Sequence, residues 1–500
     1  MAKLGLESTI IDRGVYQNTV GRFREAGIIL PKLSQLFDPA TIPEKVRTAL
    51  TSVDPMAPHP LNLFRVHWYN GANYKTLDAV PQYVVLPKEI TGVDAPIVVL
   101  SGRTFPMIRS HKVLAAYGCL APRVITGQFD PTVHKAVWPS TGNYCRGGVA
   151  ISRIMRCRGV ALLPELMSRE RFAWLEDWVQ EKEDIYPTPG SESNVKEIYD
   201  KCDELEAESD DNIIFNQFCE FGNHLVHLYA TGRALEHSFQ LEKKKHPNLQ
   251  LRAYVSATGS AGTLAAGDYL KERFGSRTVA VEALECPTLL YNGFGEHNIQ
   301  GIGDKHVPFI HNTWKTDDIT AISERATDRL SVLFNTEAGQ RYLVERRGVS
   351  KDLVEKLPWF GLSSICNITA AIKTAKYHGY GPNDAIVTVA TDASELYVTE
   401  DAKALKKYFG GSFSEIDAAE VFGEHLLGTA TDHYEELDER GKQRIFNLGY
   451  YTWVEQQGVS LEEFNHRKDP TFWTGLRDIV PAWDALIEKF NAETGCLKKL

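Results

Sequence analysis

Five hundred residues, 43% hydrophobic and 24% charged, exceed one simple domain and predict two or three lobes with sizeable cores. A net charge of −10 argues against a nucleic-acid or anionic-membrane surface, so neither nucleic acid nor membrane is expected as a partner. No apolar run approaches the roughly 18 residues of a membrane helix. The opening stretch MAKLGLESTIIDRGVYQN lacks a signal peptide's apolar segment, which predicts a cytoplasmic protein. The eight cysteines are scattered without a CxxC pair, as expected for free thiols in a reducing compartment and for a chain without structural metal.

In chain order, residues 1–58 form an N-terminal extension that ends in the Pro-rich break DPMAPHP. Strand-like and helix-like segments then alternate: PIVVL, SHKVLAAYG, RVITG, GGVAISRIMRCRG, ALLPELM and SRERFAWLEDWVQ. Ser168, with Glu170 and Arg171 after it, reads as a helix start. The polar stretch 181–212 encloses one short helix over 195–208, and a second α/β stretch runs from about 235 to the buried-looking strand AIVTVAT. Such alternation predicts parallel sheets covered on both faces. The last hundred residues read as helices, with capping boxes expected at Ser412 with Glu415 and at Ser460 with Glu463.

A glycine-rich turn, TGSAGTL, joins the strand-like LQLRAYV to the helix AAGDYLKERFG. Backbone amides at a helix N-terminus suit a phosphate. Gly262 is followed by Thr263 and Leu264, not by the Lys-Ser/Thr of a P-loop, which excludes a Walker site. A dinucleotide reading stays open, because Glu282 ends the next strand 23 residues after Gly259, where a ribose-binding acid would stand. Three other stretches matter. Lys112 opens an apolar helix, PSTGNYCRG at 139–147 is a second polar turn before a helix, and GEHNIQGIG follows downstream.

The ordered set SHK, STGNY, GSAGT and HNIQGIG resembles the fold type II pyridoxal-phosphate enzymes, the cysteine synthase, cystathionine β-synthase and tryptophan synthase β-subunit group, over roughly residues 60–400. The resemblance implies an α/β fold of two parallel-sheet lobes with helical N- and C-terminal extensions. Residues 59–110 and 235–400 would form the larger cofactor lobe, 111–234 a smaller mobile lobe, and 401–500 the C-terminal extension. It implies pyridoxal 5′-phosphate on Lys112, Asn143 beside the cofactor ring, and Gly259, Ser260, Ala261, Gly262 and Thr263 around the phosphate. Ser140, Thr141, Gly142, Asn143, Tyr144 and Gly301 would meet a small amino-acid substrate. The implied chemistry is β-elimination or β-replacement through an aminoacrylate, by a lyase or synthase acting as a homodimer.

The residues argue independently for Lys112. A lysine that forms a Schiff base needs a dry site, and Met107, Ile108, Val113, Leu114 and Ala115 flank it. Lys135, the rival, lies only eight residues before Asn143, too few for a helix and a returning strand. Three departures from the family pattern stand out. Tyr144 replaces the threonine after the asparagine, and His111 precedes the lysine. Alignment of ATDASELY on Glu395 and Tyr397 places Asp392 opposite the pyridine nitrogen, with Thr391 as the alternative. His224 and His227 read as packed helix histidines, and Cys145 as a small buried residue. The rival readings are a dinucleotide-dependent oxidoreductase built on Gly259 and Glu282, and a non-catalytic cofactor-binding partner subunit.

Overall fold

The computed structural model describes residues 4–500. Its strands, in chain order, are β1 (Tyr83–Leu86), β2 (Ile97–Ser101), β3 (Lys135–Pro139), β4 (Arg158–Pro164), β5 (Ile185–Thr188) and β6 (Asn212–Ile214). They continue with β7 (Gln250–Ala257), β8 (Arg277–Ala283), β9 (Asp318–Ile322), β10 (Asp384–Ala390) and β11 (Tyr434–Glu436). They build two sheets. The larger has the order β1-β2-β10-β7-β8-β9-β11, and the smaller β5-β4-β3-β6. Every pairing in the small sheet is parallel, and so are all those of the large sheet between β2 and β9. Only the edge strands β1 and β11 run antiparallel.

The apolar runs of β2 and β10 mark central strands buried on both faces. Side-chain alternation sends Val98 and Leu100 of β2, with Val387 and Val389 of β10, into one core. Ile97 and Val99, with Ile386 and Ala390, enter the other. The Leu362–His378 helix covers the second face. The helices that carry the site, Lys112–Ile125 and Asn143–Ile154, pack on each other, the second also against β3 and β4, and the two helices touch so closely that a Cβ on Gly147 would lie 2.8 Å from the Lys112 carbonyl oxygen.

The terminal extensions differ from expectation in two details. The C-terminal stretch is not wholly helical, because β11 adds an edge strand to β9. The first of its capping boxes falls at Ser414 and Asp417 rather than Ser412 and Glu415. Gly410 and Gly411, both at positive φ, carry the chain out of the preceding helix and delay the next start by two residues. The second box stands at Ser460 and Glu463.

The two extensions pack on each other. Phe490 of the Ile479–Thr494 helix meets Tyr16 and Phe23 edge-on, with ring centroids 5.6 and 5.3 Å away. Asp484 accepts the amides of Leu33 (2.6 Å) and Ser34 (3.2 Å). Arg467 lies over the Phe309 ring at 3.8 Å and donates to the Phe309 carbonyl at 2.6 Å, which seats the C-terminal helices against the segment that follows HNIQGIG. Removing the Phe490 ring would open a cavity shared by both ends of the chain. Phe490→Ala should cost about 3–5 kcal/mol, seen as a lower urea midpoint with unchanged slope.

Candidate active site

Lys112 is the first residue of its helix, reached from β2 through a connection with Met107 and Arg109 at positive φ. Its Nζ donates to Gln217 Oε1 at 2.9 Å and to Ser260 Oγ at 3.3 Å. Burial pulls the amine down to about 8 from its ordinary value, against the opposing pull of the Asp304 and Glu192 carboxylates. His111 beside it stacks on Trp68 at 6.0 Å and meets His227 edge-on at 5.0 Å. Burial holds His111 near 3, so that ring is neutral and contributes apolar packing.

The cleft around the amine is lined by His111, Ser140, Thr141, Asn143, Tyr144, Gln217, Phe218, Gly259, Ser260, Gly301, Asp304 and Thr391 as well as Lys112. The two turns singled out in the sequence therefore face each other across it. Lys135 does not join them. It begins β3, whose far end, Pro139, leads into Ser140.

The turn after β7 is shaped for an anion. The backbone amides of Ser260, Ala261 and Thr263 donate to no acceptor among the described residues. Ala261 adopts a positive φ of 62°, and neither flanking glycine has room for a side chain. A Cβ on Gly259 would lie 2.7 Å from the Gly301 carbonyl oxygen, and one on Gly262 2.3 Å from Asn223 Oδ1. Asn223 holds the turn from behind, donating to Ser260 Oγ at 3.0 Å and to the Gln217 carbonyl at 2.9 Å. The Thr263 hydroxyl is tied to Ser256 Oγ at 2.9 Å. A cluster of free amides at a helix start, with no room for side chains, fits a phosphate group.

The opposite turn starts the Asn143–Ile154 helix. Gly142 has a φ of 145° and donates its amide to Ser140 Oγ at 3.0 Å, while the amides of Thr141 and Asn143 donate to no acceptor among the described residues. That arrangement suits a small carboxylate. The Tyr144 ring leans edge-on against Trp138 at 5.4 Å. The Asn143 side chain is committed: Nδ2 donates to Asp392 Oδ2 at 2.5 Å, and Oδ1 accepts from Arg146 at 2.9 Å.

Asp392 is not among the residues that line the cleft; Thr391 is. The Asp392 Oδ2 accepts from Asn143 and from the Tyr397 hydroxyl (2.8 Å), and Arg171 Nη2 stands 3.7 Å away. Arg171 in turn donates to Tyr397 at 2.8 Å. This network is fully buried and ties the two sheets' helices together. Thr391 lines the cleft, and its hydroxyl shares a hydrogen bond with Ser363 at 2.7 Å.

Other sequence candidates find structural employment. Glu282 accepts the amides of Leu289 (2.9 Å) and Leu290 (2.8 Å), capping a short helix, so it is not free to hold a ribose. Cys145 donates to the Gly142 carbonyl, and burial pushes its thiol up to about 12, the opposite of an activated thiolate. His224 is buried and held near 3, and no group of metal-ligating side chains occurs among the described residues. Among the described residues no helix is long and apolar enough to cross a membrane.

Sequence reasoning missed Gln217, Asn223, Glu192, Asp304 and Arg171. Gln217 lay inside the segment NIIFNQF, which carried a signal; the others had none beyond being polar residues in loops or helix starts.

No family model matches the chain. It is 28% identical over 262 residues to cysteine synthase B of Campylobacter jejuni, covering 51% of this chain and 76% of that one. It is 26% identical over 335 residues to cystathionine β-synthase of Saccharomyces cerevisiae, covering 62% of this chain and 59% of the yeast protein. A cysteine synthase structure from Entamoeba histolytica superposes with a TM-score of 0.53 at 21% identity, over 70% of this chain and 95% of that one. An O-acetylserine-dependent cystathionine β-synthase from Helicobacter pylori gives 0.51 at 18% identity, over 64% and 94%. These two structures match the fold of about two thirds of this chain and nearly the whole of their own.

The turn geometry yields a graded expectation. Ser260→Ala removes one hydroxyl and should weaken retention of pyridoxal phosphate by about 1 kcal/mol, whereas Gly262→Val, which drives a side chain into Asn223, should abolish it. Absorbance titration of the two variants measures the difference, and equal losses would argue against a backbone cradle.

Proposed function

From its place in the fold type II pyridoxal-phosphate superfamily, we propose that the chain catalyses elimination or replacement at the β-carbon of an amino acid, as a lyase or a synthase. One observation carries the reading: a dry lysine amine and a turn of unpaired amides share one cleft, joined by the 3.3 Å contact of Lys112 with Ser260. A dinucleotide enzyme leaves that lysine without a task and finds Glu282 already engaged. A non-catalytic partner subunit gives no reason for the lowered proton affinity of Lys112.

When bound, pyridoxal phosphate supplies an electron-withdrawing ring that makes the Cα proton of an amino acid acidic. The chain's own groups do the rest. The amides of residues 259–263 hold the phosphate, with the Ser260 hydroxyl beside them. The amides of the 140–143 turn, at a helix N-terminus, orient the substrate carboxylate. Lys112 would take and return the proton at Cα, a task suited to an amine poised near neutrality. Gln217 fixes its position. Thr391 is the group we assign to the pyridine nitrogen, and Asp392 instead anchors Asn143 from behind. A neutral hydroxyl at that nitrogen suits elimination of a β-substituent more than longer-lived carbanion chemistry.

All eight cysteines are buried and none forms a disulfide, which supports the reducing cytoplasm as the site of action. A homodimer belongs to the same proposal, and its mass in solution tests it.

Two measurements check the lysine. Borohydride reduction of the coloured protein followed by peptide mapping should place the label on Lys112 and leave Lys112→Ala unlabelled; a label on Lys135 overturns the assignment. The neutral amine is the reacting form, and its proton affinity is lowered by burial. The rate of cofactor attachment should therefore rise with pH up to about 8 and level off there, instead of climbing toward the range of an exposed lysine.

A further inference from the structure

Two buried acids act on Lys112, and neither forms an ion pair among the described residues. Glu192, in the loop after β5, is 0% exposed, and the Thr141 side chain and the Gly301 amide are the donors that act on its carboxylate. Asp304, three residues past Gly301, lines the cleft with Lys112, is 6% exposed, and leaves Oδ1 unpartnered. The two feel each other, since Asp304 raises the proton affinity of Glu192. Few other groups face them. Lys112 is the one countercharge acting on Asp304, and Arg171, already held by Tyr397 and Asp392, acts on Glu192. Thr141 and the Gly301 amide lie close to Glu192, while Tyr199 and Cys286 feel the Asp304 charge. His306 is buried and neutral.

A buried carboxylate without a partner is costly, so the pair must either keep a proton or await a group that satisfies it. Burial pushes Asp304 up to about 7 and Glu192 well above the carboxylate range. Both shifts favour the protonated form of the pair. Covalent engagement of Lys112 withdraws the one countercharge that favours ionised Asp304, which strengthens its hold on that proton.

We propose, resting on the pyridoxal-phosphate reading, that the Asp304–Glu192 pair is the proton donor to a departing hydroxyl, and that the substrate is a β-hydroxy α-amino acid. The step balances without any oxidant. The Cα–H bond breaks, its proton passes to Lys112, and its electron pair forms the Cα–Cβ double bond. The Cβ–O bond breaks with its electrons on oxygen, Asp304 gives that oxygen a proton, and water leaves. The proton on Lys112 then returns to the ionised acid. Hydroxide is a poor leaving group and needs this donor; an acyl ester or a halide does not. A β-ammonium brings its own proton and would need both acids ionised, which the burial of the pair opposes.

The test uses the holoenzyme with L-serine and with β-chloroalanine, whose chloride leaves unprotonated. In Asp304→Asn, the ratio of kcat/KM on serine to that on β-chloroalanine should fall by about a hundredfold or more, the usual reach of a general acid. Glu192→Gln should lower the same ratio, and it keeps the proposal open to refutation if the first variant does not fold. Independently of turnover, infrared spectra at neutral pH should show a protonated-carboxyl band in the wild type that Asp304→Asn and Glu192→Gln diminish. An unchanged ratio, an unchanged band, or a wild type that prefers O-acetylserine or 2,3-diaminopropionate to serine overturns the assignment. Failure of the cofactor reading looks different, because then β-chloroalanine is not consumed either and no label forms on Lys112.

Discussion

The contact of Lys112 Nζ with Ser260 Oγ and Gln217 Oε1 joins three segments that are far apart in the chain. Ser260 hangs from the end of β7 in the large sheet, Gln217 follows β6 in the small one, and Lys112 opens a helix between them. An ammonium in so dry a place is disfavoured. Its fall from 10.5 to about 8 corresponds to roughly 3 kcal/mol of lost stabilisation of the ammonium relative to water. The fold bears that cost because the helix of Lys112 is fixed on every side, by Gly147 on the neighbouring helix and by the His111–Trp68 stack.

A second buried cluster sets the distance between the turns. Arg146 and Arg171 from the small-sheet side meet Asp392 and Tyr397 from the large-sheet side, with Asn143 between them. Such a network adds less to stability than its number of bonds suggests, since each charge was desolvated to make it. Its geometric consequence is larger. Asn143 cannot swing, so the turn that precedes its helix keeps its free amides pointed into the cleft. The aspartate that alignment placed at the cofactor ring is in this way an anchor for the turn on the other side.

Much of the site was readable because its parts are backbone turns, and turns need glycines at fixed intervals. Gly259, Gly262 and Gly142 signalled themselves for that reason: a Cβ at any of them would strike a neighbour. Lys112 was readable because a lysine amid apolar residues contradicts the usual pattern of a helix start. The helix over 195–208 followed from its polar flanks, and its bounds are Val195–Glu208. What stayed hidden is whatever depends on side chains from separate loops converging. Nothing in SESN or GDKH marks Glu192 and Asp304 as neighbours, and one-residue alignment offsets decide between Thr391 and Asp392. The shift of a capping box from Ser412 to Ser414 has the same origin, since either serine has an acid three residues on.

The charge balance of the cleft ties these parts together. Among the residues that line it, Lys112 is the one side chain that carries a positive charge, because the neighbouring histidine is held neutral. A basic side chain at the phosphate turn would have been the simplest way to hold an anion. It would also have pushed the lysine further toward neutrality and competed for the acids that face it. Amides hold an anion with partial charges fixed in the backbone and titrate nothing. The acids Asp304 and Glu192 then act on the lysine, raising a proton affinity that burial lowers. In the proposed reaction, an amine poised between those two influences would be neutral when it reacts and protonated once it has taken a proton from Cα, and both states would be needed in one turnover.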